Sequence, residues 1–267
     1  MPRHLRWPGL FVAYLGQYVK RQMAYRLNFW VEGFSYVLWV AAELGLIYFV
    51  FLPVRALEGW TLPQVMLIYG IALASVGLFF TLFVNLFHLA GMYIVEGQLD
   101  RLLLRPLNPF LQLLMEQFSA EDTVTVLMGF GVIGYALQQL GVSLTPMVVL
   151  QVVVMVIGGA LVYGGITTAA ASLSFWVRDR VGVLWPLVTS MDTMARYPLT
   201  IYPAGLRLVL STIFPLGFVG FYPAQAFIKQ GAFHQLAYLT PLVGLAAMAV
   251  GYGCWKLGLR GYESAGS

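Results

Sequence analysis

Glu43, Asp192, Arg196 and Arg207 are ionisable side chains set in stretches that are otherwise almost all hydrocarbon, and they are the first candidates for chemistry. Asp192 and Arg196 stand four residues apart with the acid first, the order that favours an ion pair along a helix. That pair is either a structural tie or part of an outer gate. Glu43, midway along an apolar run, either lines a path for substrate or is hydrogen-bonded to a neighbouring helix. A charge at the centre of a bilayer costs about 2.5 to 3.5 kcal/mol on insertion scales, so each of these groups needs a partner or water. Arg207 has a further option, which is to extend its apolar stem and place its head among lipid headgroups.

A second group of polar residues interrupts the oil at "EGQLDRLLLRPLNP", from Glu96 to Pro109. Gly97 opens a short helix there and Pro106 ends it, with Glu96 and Gln98 at its start. Leu99, Leu102 and Leu103 give the helix an apolar side, while Asp100, Arg101 and Arg105 give it charge. A helix of fewer than about 12 residues is marginal alone, so this one needs a surface to dock on. It lies flat on headgroups with its leucines down, or it seats on another protein.

Other chemistry is missing. His4, His88 and His234 are scattered without paired spacing and Cys254 is the single cysteine, which leaves no metal constellation and no intrachain disulfide. The sequence contains no Gly-Lys-Ser or Gly-Lys-Thr phosphate loop and no Gly-x-Ser-x-Gly elbow. No catalytic residue is expected, and ATP hydrolysis by this chain alone is not.

The elements that position these residues follow from composition. Of 267 residues, 60% are hydrophobic and 10% charged, against about 25% charged in a soluble domain. The expected fold is an all-α integral membrane protein in a single domain, residues 1–267. With about 20 apolar residues needed per crossing, runs from Phe29 to Leu52, Gln64 to Phe87, Thr123 to Leu140, Met147 to Trp176 and Leu236 to Trp255 are predicted spans. The formal charge of +4 then records membrane orientation rather than nucleic-acid binding.

Residues 181–235 are apolar but broken by Pro186, Pro198, Pro203, Pro215 and Pro223. They form either two crossings, or one crossing and a hairpin that dips in and returns. Charge bias separates the two. Six crossings with a cytoplasmic N-terminus place Arg3, Arg6, Lys20, Arg21, Arg26, Arg101, Arg105, Arg178, Arg180, Lys256 and Arg260 inside. Only Arg55, Arg196, Arg207 and Lys229 then fall outside. Seven crossings would move Lys256 and Arg260 outward, so six spans and a re-entrant hairpin over 198–229 are predicted. Irregular backbone at membrane depth requires cover by protein or a wet cavity, so the hairpin must face one of these. Residues 10–28 have an apolar helical face, with Lys20, Arg21 and Arg26 among the basic positions and Tyr25 on the apolar side, and read as a helix in the cytoplasmic interface.

The runs "KRQMAYRLNF", "GQLDRLLLRPLNP", "RYPLTIYP" with "FPLGFVGFYPA", and "LRGYESAGS", in this order along nearly the whole chain, resemble the membrane permease subunits of bacterial type-2 ATP-binding-cassette (ABC) exporters, and among them the subgroup ending in Tyr-x-Ser-x-Gly. The resemblance implies a multi-pass protein of the bacterial cytoplasmic membrane with both termini inside. It implies ABC ATPase subunits as partners, which bind ATP and Mg while this chain binds no cofactor, and a second permease, the same or a related chain. It further implies that residues 10–28 and the loop 88–117, with Glu96 to Pro106 as its coupling element, contact the ATPase, and that a short re-entrant hairpin lies on the outer side between spans five and six. Replacing Asp100 and Arg101 with Ala is then expected to uncouple ATP hydrolysis from transport. A stand-alone channel or secondary transporter is the alternative reading; it calls for inverted repeats, and no internal symmetry is visible.

Overall fold

The computed structural model describes residues 26–177, 183–228 and 234–263. Most of the interfacial segment predicted at 10–28, with Lys20, Arg21 and Tyr25, lies outside these residues; Arg26 opens the first described helix. Among the described residues the fold is all-α: α1 (Arg26–Phe51), α2 (Leu62–Phe83), α3 (Gln98–Leu103), α4 (Pro109–Glu116), α5 (Asp122–Gln139), α6 (Pro146–Ser172), α7 (Leu184–Ala195), α8 (Ala204–Thr212), α9 (Phe221–Ile228) and α10 (Thr240–Arg260). Among the described residues four stretches are long and apolar enough to cross a membrane: Trp30–Phe51, Leu62–Val95, Pro146–Val177 and His234–Arg260.

Helix starts obey local chemistry. α2 carries Pro63 in its first turn, and the Gln64 side chain accepts a hydrogen bond from the Thr61 N–H (3.0 Å). Thr145 caps α6 by accepting from the Val148 N–H (3.3 Å), and Asn108 caps α4 by accepting from the Phe110 N–H (2.9 Å). The span predicted to end at Phe87 runs further. A tight 3₁₀ segment, Val84–His88, and a wider π turn, Leu89–Val95, carry the helical path to Val95. Gly97 then turns the chain with φ +74°, a left-handed conformation that suits glycine, and α3 begins.

Close contacts fix the relative directions. Gly158 of α6 meets Thr240 and Gly244 of α10, Gly165 meets Ala247 and Gly251, and Phe175 beyond α6 meets Gly258, so α6 and α10 run parallel. α2 runs with them, since Ser75 packs on Gly159 and Phe83 on Gly164. α5 runs the other way, with Gly129 against Ala74 and Gly77 against Val126. α7 also opposes α2: Trp185 stacks near Phe80 and Phe87, Arg196 lies over Tyr69, and beyond the helix Thr200 accepts a hydrogen bond from the Trp60 indole N–H (2.7 Å).

From Thr200, at the Trp60 end, the chain makes α8 and then descends. Gly220 seats against Ile68 and Ala72 of α2 and the carbonyl of Ala195. That is six to ten residues along α2 from Leu62, a depth of about 9 to 15 Å at 1.5 Å per residue. α9 leaves this turn with every residue from Phe221 to Ile228 buried. The aromatics Phe221 and Tyr222 are inside: Phe221 packs edge-on against Trp60 (5.6 Å) and Tyr222 against Phe218 (4.6 Å). The reason is that this arm folds inward against α2 and α6 instead of lying flat.

Candidate functional site

Two places gather the sequence-predicted residues. Glu43, midway along α1, Arg196 just past α7 and Asp192 of α7 form one knot. The guanidinium bridges both carboxylates, with Nη1 on Glu43 Oε2 and Nη2 on Asp192 Oδ2. Two tyrosines that sequence reading did not select complete it. Tyr69 of α2 donates to Glu43 Oε2 (2.6 Å), and Tyr163 of α6 donates to Asp192 Oδ1 (3.3 Å). The Arg196 guanidinium also lies 5.4 Å from the centre of the Tyr69 ring, within cation–π range. Four helices therefore converge on one guanidinium, whose side chain is 11% exposed. Arg207 does not join them. Its Nη2 donates to the carbonyls of Thr200 and Tyr202 (3.3 Å each), holding the turn before α8 together instead of reaching outward.

Glu43 opens on a cleft of about 300 Å³ lined by Trp39, Ala42, Leu46, Ile47, Tyr69, Arg196 and Tyr197. A second cleft of about 170 Å³ shares Leu46, Ile47 and Tyr197 and extends to Trp60, with walls that are nearly all hydrocarbon.

The other place is the turn after α2. Within α3, Leu99 and Leu102 are fully buried in the chain's own core and Gln112 donates to the Leu102 carbonyl (3.3 Å). Leucines 102 to 104 are consecutive, and at about 100° per residue they cannot share a face. Leu103 is 40% exposed and Leu104, which the sequence reading did not single out, is 87% exposed. Arg101 is exposed, with Nη2 on the Gln98 side chain (3.1 Å), and Glu96, Arg105 and Pro106 are exposed beside it. Asp100 is half-buried.

Behind this surface a polar network locks α3 and α4 to the bundle. Asn85 donates to Tyr93 (2.8 Å) and to the carbonyl of Leu113 (2.6 Å), Tyr93 donates to Glu116 (2.8 Å), and Glu116 pairs with Arg105 (3.7 Å). Asn108 donates to Tyr252 of α10 (2.7 Å), and Phe110 packs against Tyr252 and Trp255. The turn is thus fastened to α2 and α10 together. Such long-range partners leave no spacing in sequence and could not have been read from it.

A family model described as ABC-2 family transporter protein matches residues 37–266. No curated protein and no solved structure matches the chain.

Proposed function

The chain belongs to the ABC-2 transporter family, and on that premise we propose that it is one half of an export path whose energy comes from separate ATPase subunits seated on the turn from Glu96 to Pro106. Membership makes the chain a multi-pass membrane protein and the permease component of an ABC transporter, a transport component and not a catalytic one, associated with ABC ATPase subunits. The finer reading adds six crossings with both termini on the cytoplasmic side of a bacterial inner membrane. Parallel packing of α6 and α10 supports it, because an odd number of crossings must then separate them. α7 with its extension to Thr200 supplies one, and the arm that descends to Gly220 and returns through α9 adds none, which favours a re-entrant hairpin.

One observation carries the coupling assignment. α3 turns Leu99 and Leu102 into the chain and Arg101, Leu103 and Leu104 out of it, so a six-residue helix that could not fold alone is held rigidly with a mixed basic and apolar face free. A rigid turn moves when the body it sits on moves. Closure of ATPase subunits around ATP and Mg would shift this turn and, through Asn85, Glu116 and Asn108, carry α2 and α10 against a second permease. The segment 10–28 is assigned to the same cytoplasmic contact. Purification from native membranes in mild detergent tests the assembly: a stoichiometric ATPase is expected, and a chain that transports in vesicles with no other polypeptide would return the reading to a channel or secondary transporter.

A further inference from the structure

We propose that the paired clefts beside Glu43 bind a cationic amphiphile, its charged head at Glu43 and its apolar body lying toward Trp60. The knot contains two carboxylates and one guanidinium, so the formal charge is one unit negative at a depth where an unbalanced charge is costly. Among the described residues only Oε2 of Glu43 is engaged, by Tyr69 and Arg196. The other oxygen has no partner among them, and the Glu43 side chain is 31% exposed on the 300 Å³ cleft. A ligand cation there balances the excess carboxylate without displacing any existing bond.

The surroundings select the rest of the ligand. Trp39 and Tyr197 line the same cleft, and aromatic rings are the side chains that attract an ammonium group. Leu46 and Ile47 also line the second cleft, where Val50, Leu57, Trp60 and Val65 offer hydrocarbon and little else. The two volumes together fall within the span of about 300 to 1,000 Å³ usual for small-molecule sites. An anionic head fits poorly, because the one guanidinium is already shared by two carboxylates.

This inference rests on the permease reading for its meaning as a substrate site, but its test does not. The chain in lipid nanodiscs is titrated with 12-bromododecyltrimethylammonium and with 12-bromododecanoate, whose terminal bromine quenches Trp60 on contact, at matched bilayer concentrations. The cation is expected to bind more tightly by about tenfold or more. Glu43→Gln keeps an oxygen for Tyr69 and Arg196 but removes the excess charge, and should abolish that preference. Leu46→Phe narrows the passage between the clefts without touching charge and should weaken the cation several-fold even if Glu43→Gln fails to fold. Equal affinity for the two probes, or cation binding indifferent to Leu46→Phe, overturns the proposal. Since no ATPase is present, that failure leaves the coupling assignment standing, and a missing ATPase in the purification would leave this binding result standing.

Discussion

The seam between α6 and α10 and the attachment of α1 solve the same problem by opposite means. Along the seam, glycines at 158, 165, 244 and 251 bring backbones into contact, and the Phe175 ring sits on Gly258. α1 has no such seam. Within an 18-residue apolar window of Trp30–Phe51 only 17% of the residues are buried, against 72% in the corresponding window of Leu62–Val95. Its hold includes a small cluster, Val40 and Ile47 on Val65, Tyr69, Leu73 and Val132, a Tyr36–Asp122 hydrogen bond to α5, and the Glu43 knot. In lipid, hydrophobicity does not drive helices together, so close approach of small residues or polar ties must do it. The seam gives many contacts that can only be kept or lost together. The knot gives a few strong ones that can be exchanged for other partners, which suits α1 to be the element that shifts.

The comparison breaks most visibly at Arg196. Arg196→Ala leaves Glu43 and Asp192 without their shared cation and should cost about 3 to 5 kcal/mol, seen as a large fall in the temperature at which the detergent-solubilised protein loses its monodisperse peak. Adding Glu43→Gln and Asp192→Asn to that variant should recover most of the loss, because no buried charge is then stranded. A stable Arg196→Ala protein would show that the attachment of α1 does not depend on the knot.

Next in size is the seam itself. Gly165→Val in α6 drives a side chain into the Ala247 carbonyl and should cost about 1 to 3 kcal/mol or prevent folding, whereas Gly253→Ala, in α10 with open space around it, should be neutral by the same measurement. Equal sensitivity at both positions would mean that the seam is not special.

These two regions were unequally legible in the sequence. Asp192 and Arg196 could be paired on paper because their spacing puts them on one helix, and Glu43 stood out because charge in oil is rare. That Glu43 meets Arg196, 153 residues away, is a tertiary fact with no local signal. Tyr69 and Tyr163 were hidden for a different reason: tyrosine is common in apolar spans, and nothing marks one whose hydroxyl meets a carboxylate. The seven-residue spacing of Gly158 with Gly165, and of Gly244 with Gly251 and Gly258, was a signal in plain view, since small residues mark close helix contacts in membranes. In the turn after α2, the punctuation by Gly97 and Pro106 was legible. Which leucines face inward was not, because a six-residue helix that runs into three consecutive leucines fits more than one register.

Behind that turn, Asn85→Leu removes the donor that holds Tyr93 and the Leu113 carbonyl, leaving buried acceptors unpaired at a cost of about 1 to 3 kcal/mol. Transport should fall further than stability, because the network is what ties the turn to α2. If transport and stability decline in step, the network is only structural.

The smallest effect on stability should accompany the largest on function. Arg101 and Leu104 are exposed, so Arg101→Ala with Leu104→Ser should alter stability by no more than about 0.5 kcal/mol, the usual bound for surface changes. In the assembled complex the same double variant should lose export, and the ATPase should either dissociate on purification or hydrolyse ATP at its unstimulated rate. Leu99→Ala makes the contrast sharp, since it opens a cavity in the chain's core and should lower stability whether or not an ATPase is bound. Should the exposed pair prove silent in export while Leu99→Ala alone impairs it, the face of α3 serves only to close the bundle, and the motor must grip the permease elsewhere.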